Sequence, residues 1–369
     1  MRYLTRRSGA SLAALLAATA AQAQVPAVIT EIPVTHALVS QVMGELGTPQ
    51  LLLDRGADPH HFQLRPSQAR ALAQADLVVW MGPDLTPWLA RTTNALSNAR
   101  LLELLSVEGT YLQPFAEARL MADASHDDHG HGHDDHAHEH DHEHHDHGDH
   151  DHGHDDHDDD HHDHGHDHGH HEHDHDDGHD EHAHDDHDHG HDHHHGGTDP
   201  HAWLNPDNAQ TWLAAIAAEL SALDPDNAAI YQSNAEAAQA SIAELKGELE
   251  SILAPARDTG IVVYHDAYGY FAESFGLNVL GSVTLGDAAS PGAARLSTMR
   301  ANLAQAGVEC IFPEVNHPDA YVALVIEDST LRVGRPLDPA GTMLEPGAAL
   351  YETLMREMAR TIADCALNQ

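Results

Sequence analysis

Basic residues are scarce in this chain: 17 Lys and Arg stand against 60 Asp and Glu, for a formal net charge of -43. Such a surface repels phosphates, which argues against nucleic acid as a partner and suits a cation as ligand. Cysteine is scarcer still. Cys310 and Cys365 are the only two, so there is no disulfide-rich scaffold and no Cys-x-x-Cys metal or redox motif. In an oxidising compartment an even pair most simply forms one disulfide, worth roughly 4 kcal/mol for a closed loop of about 56 residues, with a zinc-thiolate role as the minor alternative. Long apolar runs are missing as well. The run from Ala10 to Ala21 is about a dozen residues, short of the roughly twenty that a membrane span needs. With Arg2, Arg6 and Arg7 before it and Ala21-Gln22-Ala23 after it, residues 1–23 read as a cleavable secretory leader. No cysteine stands near the cleavage point to take a lipid. The expectation is a soluble exported protein, in a bacterial periplasm.

What is present in excess is histidine. Residues 126–195 contain 33 of the 39 histidines and 27 of the 60 acidic residues; glycine and two alanines make up the rest. A segment of this kind has nothing to bury and is expected to be a disordered loop. It holds -27 of the net charge, leaving 33 acidic against 17 basic residues elsewhere. Neutral imidazole suits zinc, copper and nickel, and spacings such as His131-Gly132-His133 and His187-Asp188-His189 offer adjacent donor pairs. The loop therefore reads as an accessory metal collector. The bland alternative, a merely solubilising repeat, accounts poorly for histidine, because Asp or Glu alone would supply the charge.

Without leader and tract about 276 residues remain, enough for two lobes. The first half alternates: a strand over 25–32, a helix over 37–46, a strand over 50–53, a helix from an N-cap at Ser67 to about Ala75, a buried strand over 77–81 and a helix over 85–96. Strand and helix in this order imply a parallel sheet with right-handed crossovers, whose ligands sit beyond the carboxyl ends of the strands. After the tract, residues 196–224 complete this N-terminal lobe, begun at 24–125, with a loop and a helix over 207–223. Asp224 and Pro225 then open a long helix that Pro255 closes. Its apolar residues Tyr231, Ala235, Ala238, Ile242, Leu245, Leu249 and Ile252 keep one face over roughly 45 Å, longer than one small lobe. Residues 225–254 are expected to bridge both lobes, with a coiled-coil dimer seam as the alternative. Residues 255–369 repeat the α/β pattern, with strands over 261–264, 279–284, 310–312 and 331–333 and helices over 267–274, 291–306, 318–327 and 348–365.

Outside the tract six histidines remain. His60, His201 and His265 lie in loops leaving or entering regular elements, two of them in Asp-Pro-His turns. Each alone is an ordinary loop histidine. Together they make a familiar zinc set that needs one more donor for a tetrahedron. His61 faces away from its neighbour His60 in most backbones and is read as a non-ligand. His36 and His317, at helix starts, are read as structural.

Several stretches resemble the zinc-binding ZnuA-type solute-binding proteins of ABC transporters: Gly56-Ala57-Asp58-Pro59-His60-His61-Phe62 through Pro66-Ser67, the run from Ala75 to Gly82, His201-Ala202-Trp203-Leu204, the run from His265 to Phe271, and Leu337-Asp338-Pro339. The resemblance runs from about Val25 to Cys365. It implies two α/β lobes bridged by a long rigid helix, zinc held between them by His60, His201 and His265, an acidic histidine-rich insertion, and a disulfide matching Cys310 and Cys365. Manganese-binding relatives place a carboxylate where His265 stands and use an aspartate matching Asp338, so Asp338 is the provisional fourth ligand. Zn(II) is then cargo, no organic cofactor is implied, and the partners are an inner-membrane permease and its cytoplasmic ATPase. The expected state is a monomer. A zinc hydrolase is the rival from another class, and the sequence has no His-Glu-x-x-His helix and no evident general base for it. A zinc buffer or chaperone without a transporter is another.

Overall fold

The computed structural model describes residues 25–93, 99–115, 197–284, 290–303 and 306–367. The expected leader and the histidine-rich tract, with His131, His133, His187 and His189, lie outside the described residues.

The first sheet is built from β1 (Val28–Thr30), β2 (Gln50–Leu51), β3 (Leu77–Trp80) and β4 (Arg100–Glu103). Its helices are α1 (Pro33–Met43), α2 (Pro66–Leu72) and α3 (Pro87–Thr93), and α4 (Pro206–Leu223) follows the tract. Next comes α5 (Ala228–Leu253). The second sheet has β5 (Gly260–Val263), β6 (Asn278–Ser282), β7 (Val308–Ile311) and β8 (Arg332–Val333), with α6 (Gly269–Phe275), α7 (Ala293–Leu303), α8 (Asp319–Ile326) and α9 (Leu350–Ala366). Every pairing is parallel, and the orders are β2-β1-β3-β4 and β6-β5-β7-β8. The two sheets thus share one topology, and in each the strand order reverses between two central strands, β1 and β3 or β5 and β7. A crevice opens beyond the carboxyl ends of strands at such a reversal.

The expected α/β architecture stands, while several boundaries move for local reasons. The first strand shrinks to three residues and α1 starts at Pro33, because proline suits a first helical position and the Thr35 hydroxyl accepts the Ile32 N–H at 3.3 Å. Ser67 is inside α2 and is not its cap. Pro66 leads that helix, and the Gln68 side chain reaches back to accept the Arg65 N–H at 2.8 Å. At α4 the Asn205 side chain accepts the Asp207 N–H at 2.9 Å, so the cap precedes Pro206. β4 adds a strand where the sequence pattern predicts none.

The apolar stripe of α5 is buried from Tyr231 to Leu253, with Leu253 taking the last place expected of Ile252. Pro225–Asn227 forms a short 3-10 turn ahead of the α-helix, which spans about 39 Å at 1.5 Å per residue. Against this helix pack α1 and α4 from the first lobe's side and α9 and α6 from the second. The stripe is therefore covered within the chain. The coiled-coil seam is corrected accordingly: these residues face their own lobes.

The last helix is tied to the sheet by the disulfide between Cys310 in β7 and Cys365 in α9. Several direct ties between the two halves lie around one crevice. Trp203 Nε1 donates to the Pro339 carbonyl at 2.8 Å, Gly56 N donates to the Thr342 carbonyl at 3.0 Å, and Arg55 bonds the Met343 carbonyl at 2.7 Å and pairs with Glu345.

Candidate metal centre

Two copies of one local device deliver two of the histidines. In Asp58-Pro59-His60 the Asp58 carboxylate accepts the His60 backbone N–H at 2.9 Å, and in Asp199-Pro200-His201 the Asp199 carboxylate accepts the His201 backbone N–H at 2.9 Å. Aspartate favours such turns because its side chain can bond the backbone two residues on, and the intervening proline fixes φ. The first turn is pinned by Trp88 Nε1, which donates to the Pro59 carbonyl at 2.7 Å. In the second, Asp199 Oδ1 also takes the ring Nδ1–H of His201 at 2.7 Å. The third histidine comes from the other sheet. His265 stands two residues past the end of β5, and its Nδ1 meets Glu314 Oε2 at 2.6 Å. Glu314 itself stands just past β7. That bond spans the reversal between β5 and β7.

The three rings converge. Their centroids lie 5.4 Å apart for His60 and His201, 6.1 Å for His60 and His265, and 5.1 Å for His201 and His265. One nitrogen from each falls within 4.8 Å of the others, a group that could hold a metal ion. With both Nδ1 atoms donating to carboxylates, the Nε2 atoms of His201 and His265 turn their lone pairs toward one point, 3.3 Å apart. Two imidazole nitrogens about 2.0–2.1 Å from one tetrahedral zinc are separated by about 3.3–3.4 Å. The pair already has the spacing of two such ligands. The cavity they line has a volume of about 20 Å³, room for one water-sized sphere and too small for an organic ligand.

Electrostatics favour the neutral form of one of the three rings. Burial first, then the neighbouring His201 and His265, hold the His60 ring well below the ordinary histidine range, so it stays neutral at pH 7. Burial alone would raise the Glu314 carboxyl, but the His265 and His317 imidazoles that face it outweigh burial and bring it to about 2. Tyr268 is pushed well above its usual value by burial and by Glu314; it stays protonated and donates its hydroxyl to Glu314 Oε2 at 3.0 Å. A carboxylate behind each of two imidazoles fixes the tautomer and raises ligand basicity.

The other expected residues fall as follows. Asp338 lines the same cavity but joins no group of ligand atoms lying within 4.8 Å of one another among the described residues. Its oxygens accept the N–H groups of Thr342 at 2.9 Å and Met343 at 2.8 Å, which clamps its own loop, and burial raises its pKa. His61 is turned outward and pairs with Asp58 at 3.1 Å. His36 is buried in the first turn of α1, its Nδ1 3.4 Å from the Ser40 hydroxyl. His317, read from the sequence as structural, instead lines the cavity, with Nε2 3.5 Å from Glu314 Oε1. Sequence reasoning missed Asp199 and Glu314 as partners of the imidazoles. Asp199 stands in the quoted turn, and the position just past a strand end that singled out His265 would have pointed to Glu314 also.

Comparison with known proteins agrees with this reading of the fold. Residues 28–365 match the sequence model of a family described as ZnuA, zinc-uptake complex component A, periplasmic. A high-affinity zinc uptake system protein ZnuA of Paracoccus denitrificans is 48% identical over 98% of this chain and 99% of its own length. One of the same name from Brucella abortus is 34% identical over 92% of this chain and 91% of its own. Among solved structures, a zinc-bound ZnuA deletion mutant superposes with a TM-score of 0.63 at 20% identity, covering 93% of this chain and 98% of that one. The periplasmic zinc-binding protein TroA from Treponema pallidum gives 0.64 at 18%, covering 93% and 99%. These last two likenesses show the fold. With most of its length matched by the family model and by a relative at 48% identity, the chain belongs to the ZnuA family.

Proposed function

We propose that this protein is the periplasmic zinc-binding component of an ABC importer. It captures Zn(II) between its lobes with His60, His201 and His265 and delivers it to an inner-membrane permease driven by a cytoplasmic ATPase. The observation on which this rests is the 3.3 Å approach of the His201 and His265 Nε2 atoms, each backed by a carboxylate, with the His60 ring beside them. A nitrogen-rich donor set favours zinc over manganese, which prefers oxygen. The relatives are named as zinc uptake proteins, which supports the same reading. The fourth position belongs to water or to Asp338. The chain acts as a monomer and catalyses no reaction. Residues 1–23 direct it to the periplasm, residues 24–125 and 196–224 form the first lobe, 225–254 the bridge and 255–369 the second. The tract of residues 126–195 holds further ions weakly and raises their concentration near the cleft through tethering.

The test is zinc competition against a tight chelator on the full mature chain. His60→Ala and His265→Ala each abolish the tightest binding step while leaving the weaker, multi-ion binding of the tract. Retention of the tight step in both variants overturns the assignment. Transport in vesicles containing the permease and ATPase separates an importer component from a soluble zinc buffer, which would leave uptake unchanged.

A further inference from the structure

The His265 ring has two edges, and the site above uses one of them. On the other edge stand Glu314 and His317, and one ligand atom each from His265, Glu314 and His317 lies within 4.8 Å of the others. Glu314 is 5% exposed, with Oε2 toward His265 and Oε1 3.5 Å from His317 Nε2. The His317 ring is stacked on Tyr264, centroids 4.5 Å apart at 23°, which fixes its plane while its side chain remains 24% exposed. Its placement requires an unusual backbone. Asn316 adopts a left-handed φ of 67°, and its side chain donates to the Thr342 hydroxyl at 2.8 Å. Left-handed backbone outside glycine costs on the order of 1 kcal/mol or more and persists where its surroundings impose it, often at functional sites. Here it turns the chain so that the following imidazole faces the buried carboxylate.

We propose that Glu314, His317 and Nδ1 of His265 form a second position for a divalent first-row cation such as zinc, on the Nδ1 edge of the His265 ring. This inference rests on the reading of the three-histidine centre as the tight zinc site. Binding there displaces the proton that His265 holds on Nδ1 toward Glu314, and that proton is returned through solvent to Nε2, with no net proton released. The ring then takes the other tautomer, and its Nε2–H donates across the 3.3 Å gap to Nε2 of His201. A neutral imidazole has one free lone pair. It follows that the two positions alternate: an ion on one edge of His265 releases the other edge to a proton. Both positions line one cavity and share His265, so the second is a staging point through which the ion reaches and leaves the three-histidine centre.

The test is anomalous diffraction at the zinc absorption edge on zinc-soaked crystals of the full chain. In the wild type the strongest peak should lie among His60, His201 and His265. In His201→Ala, with His60→Ala as a parallel variant should the first fail to fold, the peak should move to within about 2.0–2.2 Å of Glu314 and His317 donor atoms. It should vanish when Glu314→Gln and His317→Ala are added. No zinc beside Glu314 and His317 in either single variant overturns the inference and leaves the tight site intact. A wild type with no zinc among the three histidines overturns the proposed function instead. In solution, His317→Ala should slow both uptake and release of the tight ion by about tenfold, equivalent to about 1.4 kcal/mol on the barrier. Unchanged rates refute the staging role.

Discussion

Glu31 and Glu314 are both buried, at 0% and 5% exposure, and both stand just past a strand at the point where the order of their parallel sheet reverses. Their charge states are opposite. Glu31 is pushed up to about 8, burial outweighing the hydrogen bonds from Met81 N–H at 2.5 Å and the Thr35 hydroxyl at 3.1 Å. Its acid proton has a receiver, since the Thr35 hydroxyl can accept it while donating to the Ile32 carbonyl at 2.9 Å. Glu314 is brought down to about 2 because His265 and His317 face it. Burial by itself therefore does not decide whether a carboxylate is charged. An adjacent imidazole does, and the lobe that places one there gains a group able to back a metal ligand.

The largest test of this contrast is the pH dependence of stability. A carboxyl with a folded pKa near 8 and an ordinary unfolded pKa of 4.5 holds its proton in the folded state longer than in the unfolded one. Stability must fall as pH rises from about 4.5 to about 8, by on the order of 5 kcal/mol. Glu31→Gln should remove that slope in metal-free urea unfolding and leave zinc affinity unaltered. A slope that survives the substitution would assign it to other groups.

The second lobe has a covalent tie that the first lacks among the described residues. Reducing Cys310–Cys365 should cost roughly 4 kcal/mol of stability. Calorimetry with and without reductant would check this, and an unchanged Tm would mean that packing of α9 alone holds the sheet edge. Next in size, Glu314→Gln removes the charge behind His265 and should weaken zinc binding at the proposed three-histidine site by about 10–100-fold, read by chelator competition. The smallest effect belongs to carboxylates outside. Arg300 pairs with Glu327 at 2.7 Å and Asp328 at 2.9 Å at the exposed surface, and Arg300→Ala should change unfolding free energy by less than about 1 kcal/mol. A larger loss there would contradict the view that only buried partners matter.

Much of the fold could be read from the chain because its signals are local. The alternating spacing of Tyr231 to Leu249 announced α5, and the β-branched run at β3 announced a buried strand. β4 escaped notice because Arg100 and Leu101 are exposed and Leu102 and Glu103 half-buried, so the strand lacks the apolar run of a central one. The tight Asp-Pro-His turns were equally local, and they pointed to His60 and His201.

By itself, then, the sequence determined the parallel α/β class, the long apolar helix, the cation-seeking charge balance and the three imidazoles, since each depends on periodicity, composition or a turn of three residues. Tertiary structure alone decided which carboxylates stand behind those imidazoles. Glu314 lies 49 residues from His265 and meets it at 2.6 Å only because β5 and β7 pair side by side. It decided likewise that His317 faces the cavity and that the apolar face of α5 is covered by its own lobes. Charge state, tautomer and spacing at the centre depend on through-space neighbours in a largely buried crevice, and no property of a residue or its flanking sequence encodes them.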